Sequence, residues 1–311
     1  MKPVVLQTSP MLPMVESALL ERYEVLRLDR APDREAFLAA SGPRVDAVAS
    51  SARVAVDAAL LDALPRARIV AHFGVGYDNV DAAHARARGM VVTNTPDVLT
   101  DCVADLAIAL MVDVARGVTA GDRYVRAGRW LKGAMPLASK VSGKRLGIVG
   151  LGRIGRAVAR RAEAFDMEIR YHNRRQVPDS PYAWEKSLAD LARWCDFLVV
   201  ATSGGAESRG LVSAAVIEAL GPRGFLVNIA RGSVVDEPAL VAALVDRRIA
   251  GAALDVFADE PRVPEALLAL DNVVLTPHIA SATTDTRAAM GQLVLDNLAA
   301  FFETGRALTP V

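Results

Sequence analysis

Three charged side chains raise the chemical question. Arg231 directly follows the apolar run in "FLVNIARG", Glu260 lies in "DVFADEP" just after "GAALDV", and His278 lies in "LTPHIAS", after another short apolar run. Hydride transfer to a 2-keto acid needs a cation for the carboxylate and a proton donor for the carbonyl oxygen. It also needs a group that keeps that donor protonated near neutral pH. Arginine, histidine and glutamate meet these needs one for one. Singly, each has an ordinary alternative as a surface arginine, a loop glutamate or a loop histidine. Together, at successive strand ends beyond one glycine-rich loop, they form a candidate catalytic set. The other three histidines fit less well. His84, in the polar "DAAHARARG", reads as a solvated position, and His172 reads as packing at the end of a strand. His72 ends a strand of the first half without an evident carboxylate partner.

The glycine-rich loop is "VGLGRIGRAVA", with Gly150, Gly152 and Gly155 following an apolar run and opening a helical pattern. Gly150 suits a sharp turn, Gly152 a close approach of pyrophosphate to the main chain, and Gly155 tight packing of helix on strand. The amides and dipole at the helix start attract phosphate. About 20 residues on, an acidic side chain usually holds the adenosine ribose. Here Asn173 stands at that place, followed by Arg174 and Arg175. A carboxylate would repel a 2'-phosphate, whereas two guanidinium groups can bind one, so NADPH is expected in preference to NADH, which the site could also accept. The alternative is that both arginines face solvent.

These groups need a scaffold that ends its strands on one edge. Apolar runs at 4–7, 23–28, 47–50, 69–73 and 90–93 alternate with helical patterns, and a second series runs at 146–150, 168–172, 197–201, 225–229, 251–254 and 273–275. Such alternation predicts two α/β, Rossmann-like domains, each with a parallel sheet covered on both faces. Between them lies the apolar helical stretch "CVADLAIALMVDVARGV", with Thr100 or Asp101 as its cap, and a polar stretch, "AGDRYVRAGRW". The last stretch, "TTDTRAAMGQLVLDNLAAFFETG", has helical spacing and no sheet of its own to finish. It is expected to return to the first domain, which becomes discontinuous: residues 1–98 with 283–311, around a dinucleotide-binding domain at 99–282.

At 311 residues, 52% hydrophobic and 23% charged, the chain has the composition of a globular enzyme. Its zero formal net charge gives no global pull toward nucleic acid or an anionic membrane. No secretory signal is legible at "MKPVVLQTSP", and no apolar run approaches the about 18 residues needed to span a bilayer, so a cytoplasmic location is expected. Cys102 and Cys195 lie far apart and outside any metal-ligand spacing; both are expected to be inert thiols, and no metal site is expected.

The segments "VGLGRIGRAVA", "NIARGSVVDEPAL", "GAALDVFADEP" and "TPHIASAT", in that order, resemble the D-isomer-specific 2-hydroxyacid dehydrogenase family. "AHFGVGYDNVD" and "TNTPDVLTDCVADLAIAL" extend the resemblance to nearly the whole chain. It implies that Arg231, Glu260 and His278 are catalytic, with His278 protonating the keto oxygen and Glu260 holding it charged. Val75 and Gly76 would offer backbone N–H groups to the substrate carboxylate, and Ser281 would line the same pocket. Toward the cofactor, it implies that Leu151, Gly152, Arg153, Ile154 and Gly155 meet the pyrophosphate and that Asn173, Arg174 and Arg175 meet the adenosine ribose and its phosphate. Thr202 would lie under the ribose and pyrophosphate. Ile229, Arg231 and Asp255 would surround the nicotinamide, Asp255 bonding the carboxamide unless it serves as a loop cap.

Within the family, "YHNRR" and "AGRWLKGAMPLASKVSGKRLGIVG" look most like the NADPH-dependent glyoxylate and hydroxypyruvate reductases, with hydroxyphenylpyruvate or another bulkier 2-keto acid as the alternative substrate. Formate dehydrogenases resemble the chain less, since they carry glutamine where Glu260 stands. The resemblance further implies a homodimer formed through residues 101–130, with Trp130 reaching the partner's active site. A reading of another class is a cofactor-sensing binding protein on the same fold, like the corepressors that resemble these enzymes.

Overall fold

Short runs rich in valine, isoleucine and alanine, buried on both faces, form the strands of two parallel sheets, as expected when helices cover each face. The computed structural model describes residues 2–311. The chain folds into two compact units, Met1–Leu99 with Thr283–Val311, and Thr100–Ala282.

In the first unit, strands β1 (Val4–Gln7), β2 (Glu24–Arg27), β3 (Ala47–Ser51), β4 (Ile69–Phe73) and β5 (Val91–Thr93) pair in the order β2-β1-β3-β4-β5. Alternate side chains leave on opposite faces. Val4, Leu6, Val48 and Val70 enter one core, while Val5, Ala47, Ala49, Ile69 and Ala71 enter the other. The second core is closed by Val294, Leu295, Leu298 and Phe301 from the helix Thr284–Thr304. Asn297 of that helix is wholly buried and binds the last turn of the chain: its Oδ1 accepts from the Leu308 and Thr309 amides, and its Nδ2 donates to Thr309 Oγ1.

The second unit carries β6 (Arg145–Val149), β7 (Glu168–His172), β8 (Ala183–Trp184), β9 (Phe197–Val200), β10 (Phe225–Asn228), β11 (Gly251–Leu254) and β12 (Val273–Leu275). They pair in the order β12-β11-β10-β9-β6-β7-β8, all parallel. The sheet has seven strands rather than the six expected, because the two-residue β8 is too short to leave a periodic signal. The strand order reverses between β6 and β9, and ligands of such sheets bind beyond the carboxyl ends at that reversal.

The helix Thr100–Arg116 starts at Thr100 itself, so Thr100 and Asp101 lie in its first turn rather than preceding it as a cap. It packs between the helix Arg153–Glu163 on one side and β10, β11 and β12 on the other. These contacts bury Val103, Ala104, Ala107, Leu110, Met111 and Ala115, while Leu106, Ile108 and Val112 stay half-buried and Ala109 is exposed. The next segment adds further exposed apolar side chains, Val118, Val125, Trp130, Leu131 and Leu137.

Candidate active site

The glycine turn after β6 is built by three different constraints. Gly150 has φ +99°, and a Cβ there would sit 2.7 Å from the backbone of Thr202, which packs directly on the turn. A Cβ on Gly155 would lie 2.1 Å from Gly150 O, so the helix can approach the strand only at glycine. Around Gly152 a Cβ would meet nothing within 4 Å. That residue starts the helix Arg153–Glu163 without a side-chain cap, and among the described residues no protein acceptor takes the amides of Ile154 and Gly155. Open space before uncapped, unpaired amides at a helix start fits a pyrophosphate.

Asn173, Arg174 and Arg175 follow β7 at the next strand end. Leu151 is buried and its N–H donates to Asn173 Oδ1 at 2.7 Å, so the asparagine oxygen braces the glycine turn while the side chain stays half-buried. The indole of Trp184, on the unforeseen β8, donates to Asn173 O at 3.1 Å and holds the same turn. Arg174 and Arg175 are exposed, and Arg174 is ion-paired with Glu207 from the loop beyond β9. Thr202 is half-buried, and Ile229 is buried at the end of β10.

The three catalytic candidates occupy neighbouring strand ends of this unit. Arg231 follows β10, where the buried Asn228 shapes the turn by donating to Arg231 O and accepting from the Ala230 amide. The next residue must be glycine, since a Cβ on Gly232 would lie 1.9 Å from the carbonyl carbon of Phe257. That approach presses the loop after β10 against the loop after β11, which carries Glu260. Glu260 Oε1 accepts from the Phe257 amide at 3.0 Å, and Oε2 meets His278 Nδ1 at 2.7 Å. Burial pushes the Glu260 carboxyl up. The bonds from His278 and the Phe257 amide, with the charges of His278 and Arg231, outweigh it and hold the group below the usual carboxylate range.

His278 is held in a left-handed conformation, φ +53°, unusual for a side chain of this size. Its loop is ordered from below by Asp255, which is fully buried at the end of β11. Asp255 Oδ1 accepts from Thr276 Oγ1 at 2.6 Å and from the Ile279 amide at 2.8 Å, Oδ2 accepts from the Ala280 amide at 2.9 Å, and Asp255 O accepts from the His278 amide. The buried carboxylate thus has protein donors on both oxygens and caps the loop that carries His278. Ser281 sits half-buried in the same turn.

Of the other histidines, His84 pairs with Asp62 at the surface and His172 Nδ1 donates to Glu185 O. His72 is fully buried. Val75 and Gly76 lie in the first unit, in the half-buried turn that follows β4. Trp130 is 69% exposed.

A protonatable imidazole anchored on a carboxylate, in the sheet that bears the phosphate-ready turn, is the equipment of an oxidoreductase acting on CH–OH donors. The chain belongs to the D-isomer-specific 2-hydroxyacid dehydrogenase family, the model of whose NAD-binding domain matches residues 108–280. Hydroxyphenylpyruvate reductase of Plectranthus scutellarioides is 48% identical over 99% of this chain and 98% of that protein. A glyoxylate/hydroxypyruvate reductase of Arabidopsis thaliana is 46% identical with the same coverage. Among solved structures, the NADPH-dependent glyoxylate/hydroxypyruvate reductase of Sinorhizobium meliloti, in complex with NADP and malonate, superposes with a TM-score of 0.95 at 47% identity, covering 100% of this chain and 97% of that one.

Proposed function

We propose that the protein is an NADPH-dependent reductase of small 2-keto acids, glyoxylate and hydroxypyruvate foremost, producing D-2-hydroxy acids. The observation that carries the reading is the 2.7 Å contact between His278 Nδ1 and Glu260 Oε2. A carboxylate can only accept, so Nδ1 carries a hydrogen and Nε2 is left to hand a proton to the keto oxygen. Reduced nicotinamide, when bound, supplies the hydride for the keto carbon. Arg231 provides the cation for the substrate carboxylate, helped by the Val75 and Gly76 amides, with Ser281 lining the pocket. The unit Thr100–Ala282 takes the dinucleotide and the other unit takes substrate.

Toward the cofactor, Gly152, Arg153, Ile154 and Gly155 surround the pyrophosphate, with Thr202 beneath and Ile229 against the nicotinamide. Arg174 and Arg175 bind the 2'-phosphate, Arg174 exchanging its Glu207 partner for it. The Sinorhizobium meliloti relative supports the choice of NADPH, since it is named as NADPH-dependent and was solved with NADP. The exposed segment around Trp130 supports a homodimer, and the reading places the enzyme in the cytoplasm. A bulkier substrate is the second reading, favoured by the hydroxyphenylpyruvate reductase relative at 48% identity.

The test is a panel of glyoxylate, hydroxypyruvate, phenylpyruvate and hydroxyphenylpyruvate, each with NADPH and NADH. Turnover of the first two with a lower KM for NADPH is expected. Faster turnover of the aromatic acids selects the second reading, and no turnover of any of the four overturns the assignment to glyoxylate and hydroxypyruvate.

A further inference from the structure

The turn after β4 has an unusual distribution of hydrogen bonds. Its three successive carbonyls are all tied to the protein. Gly74 O accepts from the Thr95 amide at 2.9 Å, Val75 O from Asn94 Nδ2 at 2.8 Å, and Gly76 O lies 3.1 Å from His72 Nε2. The three amides of the same residues have no protein acceptor among the described residues. The carbonyls are held by the fold and the N–H groups are left for an acceptor from outside it.

His72 is the one ionisable member of this arrangement. It is 0% exposed, as is Ser50 on β3, whose Oγ lies 3.0 Å from His72 Nδ1. Gly76 O can only accept, so Nε2 must carry the hydrogen. In the neutral ring Nδ1 is then an acceptor and Ser50 donates to it. A Cβ on Gly74 would come within 3.1 Å of Nε2 and 3.3 Å of Gly76 O, so a glycine is what lets the ring lie against the turn.

We propose that His72, its tautomer set by the Gly76 carbonyl and its Nδ1 satisfied by Ser50, is a positioning residue for the substrate carboxylate: it fixes the Gly76 carbonyl so that the Val75 and Gly76 amides present themselves to the anion. The inference rests on the role proposed above for those amides and extends it to a side chain that touches neither substrate nor cofactor. With the Nε2 donor removed, the half-buried Gly76 O is left unpaired and the peptide turns to find another partner, taking the amides out of line.

The experiment compares His72→Leu, His72→Gln and Ser50→Ala with the parent. KM and kcat for glyoxylate, NADPH affinity by fluorescence, and calorimetric binding of oxamate, an unreactive 2-keto acid mimic, to the NADPH-loaded enzyme are measured. His72→Leu is expected to raise KM and weaken oxamate roughly tenfold, with kcat and NADPH affinity within about twofold. His72→Gln, whose amide can donate to Gly76 O, should recover most of the loss. Ser50→Ala, which leaves the buried Nδ1 without its donor and removes little volume, should show a smaller increase in KM, and it carries the test if His72→Leu does not fold. Unchanged KM and oxamate affinity in His72→Leu, or in Ser50→Ala where only that variant folds, would overturn the proposal. So would a His72→Gln variant as impaired as His72→Leu. If the parent reduces none of the keto acids, the functional reading fails on its own, and equal oxamate affinity of parent and variants would then separately sink the role of His72.

Discussion

His278 and Glu260 divide one task. The carboxylate is held ionised below its ordinary range, so its charge is present throughout neutral pH, persists as pH falls past the usual glutamate value, and is lost only when pH falls through the depressed one. Its contribution to the folded loop follows the same course. Glutamine has one acceptor oxygen where Glu260 uses two, so Glu260→Gln removes the charge beside His278 together with one of its two anchoring bonds. It is expected to lower kcat/KM by roughly tenfold or more with NADPH binding spared; steady-state kinetics check this, and an unchanged kcat/KM would contradict the assignment. His278→Ala should reduce turnover by about a hundredfold or more while sparing NADPH binding, the usual scale for a positioned acid. Stopped-flow turnover and fluorescence titration separate the two quantities. Residue types were enough to nominate this pair, because acid, base and cation have few substitutes. The tasks of Asp255, Asn173 and Leu151 were not legible, since which donor a side chain meets depends on how its loop closes.

At the scale of elements, the strand ends are held in place by glycine contacts and short loops. Gly232 lies where two loops cross with no room for a methyl, which would sit 1.9 Å from the Phe257 carbonyl carbon. Gly232→Ala is expected to lower the melting temperature and to cost activity out of proportion, because the loops carrying Arg231 and Glu260 are the ones forced apart. Thermal melts paired with activity at a temperature where the variant is folded would show it. The glycine turn and the segment after β7 govern cofactor choice. Replacing Arg174 and Arg175 together by alanine should raise KM for NADPH roughly tenfold to a hundredfold and leave that for NADH nearly unchanged, by the scale of charge-assisted bonds. Equal effects on both cofactors would remove the phosphate role. The strand positions were readable from apolar runs of four or five residues. β8, with two residues, offered no period to read, and its Trp184 brace went unseen with it.

At the scale of the whole molecule, the exposed apolar side chains Trp130, Leu131 and Leu137 predict self-association. Sedimentation should give a dimer, and Leu131→Asp with Leu137→Asp should shift it to monomer. Trp130→Ala with the dimer intact is expected to lose activity if the ring reaches the partner's site; unchanged kinetics for every keto acid tested would end that assignment. The helix Thr100–Arg116 is covered only in part inside its own unit: Leu106, Ile108 and Val112 are half-buried and Ala109 is exposed, which leaves apolar surface for the same self-association. Periodicity reports how much apolar surface an element must hide, not from which side the cover comes. The chain of amino acids alone was enough to establish two series of parallel strands, a phosphate-ready turn and three residue types suited to reducing a keto group, because these depend on local period and intrinsic chemistry. Only the folded structure decided that Asp255 orders the histidine loop, that Asn173 braces the glycine turn and that His72 clasps Gly76. Each of these is a hydrogen bond between groups whose distance is set by packing rather than by sequence separation.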